Sequence, residues 1–138
     1  MYEQGRGVAA DHSQAVMWCQ MAAEDGVATA QLNLGVMHEQ GRGTSRDYAE
    51  ALKWYRRAAD QGIATAQINL ALLYGRGHGT RQDYVQANMW FALAASKAKN
   101  SNDRARAAQI RDIVASDMTP DQIAEAKALL NDWKPRRD

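Results

Sequence analysis

The chain of 138 residues has one cysteine, Cys19, and two prolines, Pro120 and Pro135. A lone thiol closes no intrachain disulfide, so cross-links do not hold this fold. With no proline before residue 120, most of the chain is free to run as helix. Charge of one sign is also missing: 17 basic residues face 16 acidic ones, interspersed, for a formal net charge of +1. That balance leaves no electrostatic footprint for nucleic acid or an anionic membrane, and the short "KPRR" near the end is too small to create one. No apolar run approaches the roughly 18 residues that a spanning helix needs, and Met1 opens no charged-then-apolar leader, so membrane insertion is not expected. The compartment stays open, because exported proteins can also lack disulfides.

Against those absences stands an alanine-rich, helical composition with four Trp, of a length that suits one ordinary domain with a real core. It is organised by repetition. "VATAQLNLGVMHEQGRGTSRDYAEALKWYRRAADQG" (Val27 to Gly62) lies over "IATAQINLALLYGRGHGTRQDYVQANMWFALAASKA" (Ile63 to Ala98) without a gap. An earlier copy begins late, at the residue matching Met37, so "MYEQGRG", "MHEQGRG" and "LYGRGHG" stand in register. The expected organisation is repeats over 1–98 (1–26 partial, 27–62 and 63–98), then a distinct segment over 99–138. The first copy lacks most of one helix. This predicts either upstream repeats or a native start that forms a homodimer through its bare apolar face.

Each unit reads as two helices. Helix A, about Ala28 to Gln40, places Ala30, Leu34, Met37 and His38 on one stripe. Gly41 stops it and Gly43 turns the chain. Helix B opens at Asp47, whose carboxylate caps the free amides while Glu50 reaches back to the Asp47 amide; Asp11 with Gln14 and Asp83 with Gln86 repeat the pattern. Helix B then carries Ala51, Trp54, Tyr55 and Ala58, matched by Ala15, Trp18, Cys19 and Ala22 and by Ala87, Trp90, Phe91 and Ala94. Alanines, with Gly35 and Ala71 opposite, let the helices approach closely while Trp fills the space between layers. No pair can bury its stripe alone, so stacking of neighbours is required and the fold class is an all-α, α/α solenoid of antiparallel helix pairs.

The spacing "A-x-x-N-L-G-x-M-x-E-Q-G-R-G" (Ala30 to Gly43) followed by "D-Y-A-E-A-L-K-W-Y-R-R-A-A-D-Q-G" (Asp47 to Gly62) resembles the Sel1-like repeat proteins, relatives of the tetratricopeptide repeats. The resemblance covers roughly the first 98 residues. His38 departs from the family's usual Tyr, kept at Tyr2 and Tyr74, and the chain resembles the cysteine-poor members. The resemblance implies a right-handed superhelix whose concave side gathers helix A residues and binds other proteins. Past Ala98 a charged helix (about Ser101 to Ala115) precedes one started by Thr119, Pro120 and Gln122, with Ile123, Ala126, Leu130 and Trp133 as its inner stripe. This segment resembles the C-terminal helical cap of bacterial members.

Patterns that suggest chemistry fail on their partners. His38-Glu39 lacks the second imidazole of a zinc-peptidase helix, since Arg42 stands in its place, so no metal ligand set is expected and His38 takes an aromatic ring's place in the core. "GRGHGT" (Gly75 to Thr80) follows a helix and has no Lys, so it is a turn and not a phosphate loop. "SKAK" (Ser96 to Lys99) has the Ser-x-x-Lys spacing of penicillin-binding hydrolases without their other motifs. Cys19 is expected as a buried small hydrophobe. No catalytic site and no cofactor are predicted.

Function is expected on the side of helix A away from Leu34: Leu32, Asn33, Val36 and Gln40, and their copies Ile68, Asn69, Leu72 and Arg76. Apolar residues there would bury a protein or peptide partner, with the two asparagines gripping its main-chain amides. Leu32 and Ile68 suit packing against the next repeat equally well, and the asparagines suit bonds between helices. The chain is expected to be an interaction scaffold and not an enzyme. A structural spacer in a larger envelope or secreted protein is the alternative, with a penicillin-binding type of hydrolase behind it.

Overall fold

A computed structural model of the chain describes residues 5–136. Seven helices and no strand occur among the described residues: α1 (Gly5–Glu24), α2 (Ala28–Gln40), α3 (Tyr48–Asp60), α4 (Ala64–Arg76), α5 (Tyr84–Lys97), α6 (Ser101–Ala115) and α7 (Pro120–Asp132). From α1 to α6 each helix packs on the next, and α7 returns onto α5, as an all-α solenoid requires. α2 and α4 are the A helices; α1, α3 and α5 are the B helices. No helix among the described residues is long and apolar enough to cross a membrane.

Closeness between helices comes from small residues. Ala51, Ala58, Ala59, Ala66, Ala71, Ala87 and Ala94 are fully buried, with Trp54 and Trp90 filling the space between them. The ring of Tyr55 lies so near α2 that a Cβ added at Gly35 would stand 2.6 Å from two of its carbons. Side-chain amides then tie each A helix to the B helix before it. Buried Gln31 donates to the Ala23 carbonyl and buried Gln67 to the Ala59 carbonyl, both at 3.1 Å, a second partner for carbonyls that also accept from the Gly26 and Gly62 amides. Gln61 adds bonds to the Gly26 carbonyl and to Gln31 Oε1, each at 3.0 Å, bridging successive turns between repeats.

Several expectations change. Asp47 and Asp83 do cap α3 and α5, accepting from the amides of Glu50 and Gln86. The reciprocal bond does not form, because the Asp47 and Asp83 amides already donate to the carbonyls of His38 and Tyr74, closing the loop onto helix A. Only Thr119 with Gln122 makes a two-way capping box among the described residues. In the first copy Asp11 starts no helix: α1 runs unbroken from Gly5 through it. In the later copies the loop instead bonds back to helix A through the Asp47 and Asp83 amides. Met37 is half-buried rather than core, and Trp18, expected between layers, is 68% exposed. Tyr2, expected to match His38, lies outside the described residues.

The chain's end is clasped to its middle. Asp60, largely buried, accepts from Arg56 Nε and Trp133 Nε1, both at 3.3 Å, while its carbonyl accepts from the Arg136 amide. Trp133 meets Trp90 edge-on at 6.3 Å and Arg56 covers the Trp90 ring, which places α7 over α5.

Successive loops also stack. His78 lies on the Tyr48 ring at 4.4 Å, and Gly79, with φ +79°, sits against the backbone at the start of α3. A Cβ there would fall within 2.6 Å of the Tyr48 carbonyl group, whereas one on Gly62, φ +96°, meets nothing within 4 Å. Gly62→Ala is therefore expected to cost about 1 kcal/mol, the left-handed penalty alone. Gly79→Ala should cost at least about 1 kcal/mol more, as the loop is pushed off α3. Urea unfolding of the two variants measures the difference; equal losses would mean that the loop contact adds no stability.

Candidate functional site

Two clefts that share Val36 open beside α2, the larger where α2, α3 and α4 meet. The smaller, about 120 Å³, is lined by Asn33, Val36, Met37 and Arg42. The larger, about 500 Å³, shares Val36 and adds Glu39 and Gln40 from α2, Arg46 and Tyr48 from the loop and start of α3, Tyr55 from inside α3, and Asn69 from α4. Each wall has a local cause. The αL residue Gly41 ends α2 so that Gln40 and Arg42 splay at its edge, with Arg42 donating to Gln40 Oε1 at 3.3 Å. The Asp47 cap starts α3 there, bringing Arg46 and Tyr48 to the rim with the guanidinium 5.6 Å from the ring centre.

The floor is polar and ordered. Tyr55 buries its ring, but its hydroxyl reaches the cleft and donates to Glu39 Oε1 at 2.6 Å. Burial pushes the phenol far above its ordinary value; the bond to Glu39 and that carboxylate's charge push the same way, and a bond from the Asn69 side chain opposes them. Three helices thus converge on one hydroxyl, each supplying one side chain.

Of the residues expected to bind, Asn33, Val36, Gln40 and Asn69 line the clefts. Ile68 does not belong there: it is 1% exposed, inside the main core. Leu32 and Leu72 are half-buried and pack against that same core, and Arg76 is exposed but outside both clefts. A stacked A helix has a B helix on either side, so the side away from Leu34 is covered too, leaving only the strip between them open. Asn69 bonds to Tyr55 across helices, one of the alternatives raised for it, and also lines the larger cleft. Glu39, Arg46, Tyr48 and the Tyr55 hydroxyl were not anticipated. One clue was present: Tyr55 stands where the other copies have Cys19 and Phe91, and a hydroxyl on an apolar stripe needs a partner.

Elsewhere, His38 is buried as a ring should be, with neither ring nitrogen hydrogen-bonded. No group of three His, Cys, Asp or Glu that could hold a metal occurs among the described residues. The Ser96 hydroxyl is spent on the Leu93 carbonyl at 3.1 Å, near the end of α5. Cys19 is half-buried against the cluster around Trp54, which raises its thiol above the usual range.

Comparison with known proteins places this geometry. The Sel1 repeat model matches residues 1–27, 28–63 and 64–99. Among solved structures, c5321, a protective antigen present in uropathogenic Escherichia coli strains and displaying an SLR fold, is 36% identical with a TM-score of 0.81 over 88% of this chain and 25% of its own. A Sel1 repeat protein from Oxalobacter formigenes is 40% identical with a TM-score of 0.62 over 69% of this chain and 36% of its own. The chain thus spans about a quarter to a third of the length of these relatives. No curated protein matches it.

The buried phenol makes an alkaline prediction. Its pKa is higher folded than unfolded, so the unfolded state alone loses the proton above about pH 10 and the stability that Tyr55 contributes is lost as pH rises. Urea midpoints at neutral pH and above pH 10 should therefore fall less in Tyr55→Phe than in the native chain; an equal fall would mean that Tyr55 ionises freely.

Proposed function

The chain belongs to the Sel1 repeat family, and from that premise we propose that it holds an extended or helical peptide of a protein partner along its helix A side, over the Glu39–Tyr55–Asn69 cleft. Sel1 repeat proteins are generally protein-interaction scaffolds, and their fold is typically non-enzymatic. The observation that carries the proposal is the convergence of side chains from α2, α3 and α4 on one buried hydroxyl beneath an open cleft.

Each component suits that task. Val36, common to both clefts, supplies apolar contact, and Asn33 and Gln40 offer donors and acceptors at its sides. Asn69 and Glu39 are already oriented by Tyr55, so a ligand meets groups that need little further ordering. Arg46 and Tyr48 at the rim add a cation and an aromatic face. Ile68, Leu32 and Leu72 have no part in contact; they hold the stack. Residues 1–98 act in this proposal as the repeats and 99–138 as the cap that closes them.

Selection of phage-displayed random peptides on the chain supplies the probe. Selected peptides are expected to bind a Val36→Glu/Asn69→Leu variant at least about tenfold more weakly, roughly 1.4 kcal/mol, with helical circular dichroism unchanged. Selection that enriches nothing, or peptides that bind native and variant chains alike, would overturn the proposal.

A further inference from the structure

Each cleft carries an arginine on exposed chain, Arg42 at the smaller and Arg46 at the larger. Among the described residues neither forms an ion pair: Arg42 reaches the neutral Gln40 amide and Arg46 the Tyr48 ring. Cations elsewhere do find carboxylates, as Lys53 does with Glu50, Arg56 with Asp60 and Arg111 with Asp112. The acids nearest the clefts are held by other tasks. Glu39 accepts from the Tyr55 hydroxyl at 2.6 Å, and Asp47 Oδ1 accepts from the Glu50 amide at 3.1 Å. Both tasks belong to the fold itself, since α3 needs its cap and a phenol on an apolar stripe needs its acceptor.

The next copy of the loop spends the same two positions inwardly. Arg42 corresponds to His78, which stacks on Tyr48 at 4.4 Å, and Arg46 corresponds to Gln82, which donates to the Gly75 carbonyl at 2.9 Å. In the 41–47 loop these positions are cations that the protein's own acids do not neutralise. Contact with the face of Tyr48 steadies the Arg46 guanidinium at the rim while leaving its donors in the plane of the group for a ligand.

We propose that the segment bound over the clefts is acidic, one Asp or Glu side chain meeting Arg46 at the larger cleft and another meeting Arg42 at the smaller, with apolar contact at Val36, common to both. This rests on the reading of the clefts as a peptide site and adds the chemistry of the peptide. A guanidinium fork matches a carboxylate in two parallel bonds, which fixes register as well as attraction. A peptide fits better than a nucleic acid, because the two cations accompany an apolar residue and the whole chain carries a formal net charge of only +1.

Peptides selected by phage display on the native chain are synthesised with a fluorescein label, each beside a copy in which Asp and Glu become Asn and Gln, and titrated by anisotropy at low salt. The selected sequences should exceed the starting library in Asp and Glu, and the neutral copies should bind at least about tenfold more weakly, a comparison that needs no variant. Arg42→Gln/Arg46→Gln, with unchanged helical circular dichroism, should show the same loss for the acidic peptide and none for the neutral copy. Lys97→Gln/Lys99→Gln removes the same charge from the end of α5 and should bind as the native chain does. Peptides that need Val36 and Asn69 but not their acids, or a lysine variant that loses as much as the arginine one, would overturn this inference and leave the clefts standing as a peptide site. A library that enriches nothing, or peptides indifferent to Val36→Glu/Asn69→Leu, would remove that site and this inference with it. Displacement of the acidic peptide by an equal concentration of single-stranded oligothymidylate would also overturn it, since the clefts would then answer to charge alone.

Discussion

The separation of helix A from helix B is the constraint on which the rest of this structure hangs, and small side chains set it. Alanines at 51, 58, 87 and 94 and the bare backbone of Gly35 let neighbouring helices close until aromatic rings meet backbone. At that spacing dispersion contacts are dense enough to hold helices of only 13 or 14 residues, which would be marginal alone. The same spacing brings Gln31 and Gln67 within reach of the preceding B helix, and lets Asp47 and Asp83 close their loops through the amide rather than through a capping box. One interhelical distance thereby sets the packing, the hydrogen bonds between repeats and the shape of the loops.

The cleft follows from that geometry combined with a break in repetition. Identical repeats would give the identical surface at each step. Here Tyr55 puts a hydroxyl where Cys19 and Phe91 have none, and Glu39 puts a carboxylate where the next copy has Gly75. The junction of α2, α3 and α4 therefore has a polar floor built from three helices. A repeat protein acquires a particular site at the place where its copies differ, because the shared positions are occupied in holding the stack together.

Much of this was legible in the order of residues. Period, helix count, the Gly41 stop, the Asp47 and Asp83 caps and the Thr119 box are local matters, decided within a turn or two of chain, and all appear as expected. Four of the eight expected contact residues line the clefts. For Ile68 the packing alternative is the one the structure shows: a helical wheel separates two sides, while a stacked helix is enclosed by neighbours on more than one, and Ile68 is among the most buried residues. Asp11, read as a helix start, instead lies within α1.

What the sequence determined alone is therefore the unit: an A helix, a glycine-bounded loop, a capped B helix, and the number of times they recur. These depend on backbone conformational preferences and on contacts between residues close along the chain. What only the tertiary structure decided is which parts of each unit face outward, because exposure depends on how many neighbours a helix receives. Trp18, Trp54 and Trp90 hold the same place in the unit, yet 68% of the first is in water and almost none of the other two. The residue is the same in each case; the helices packed around it are not.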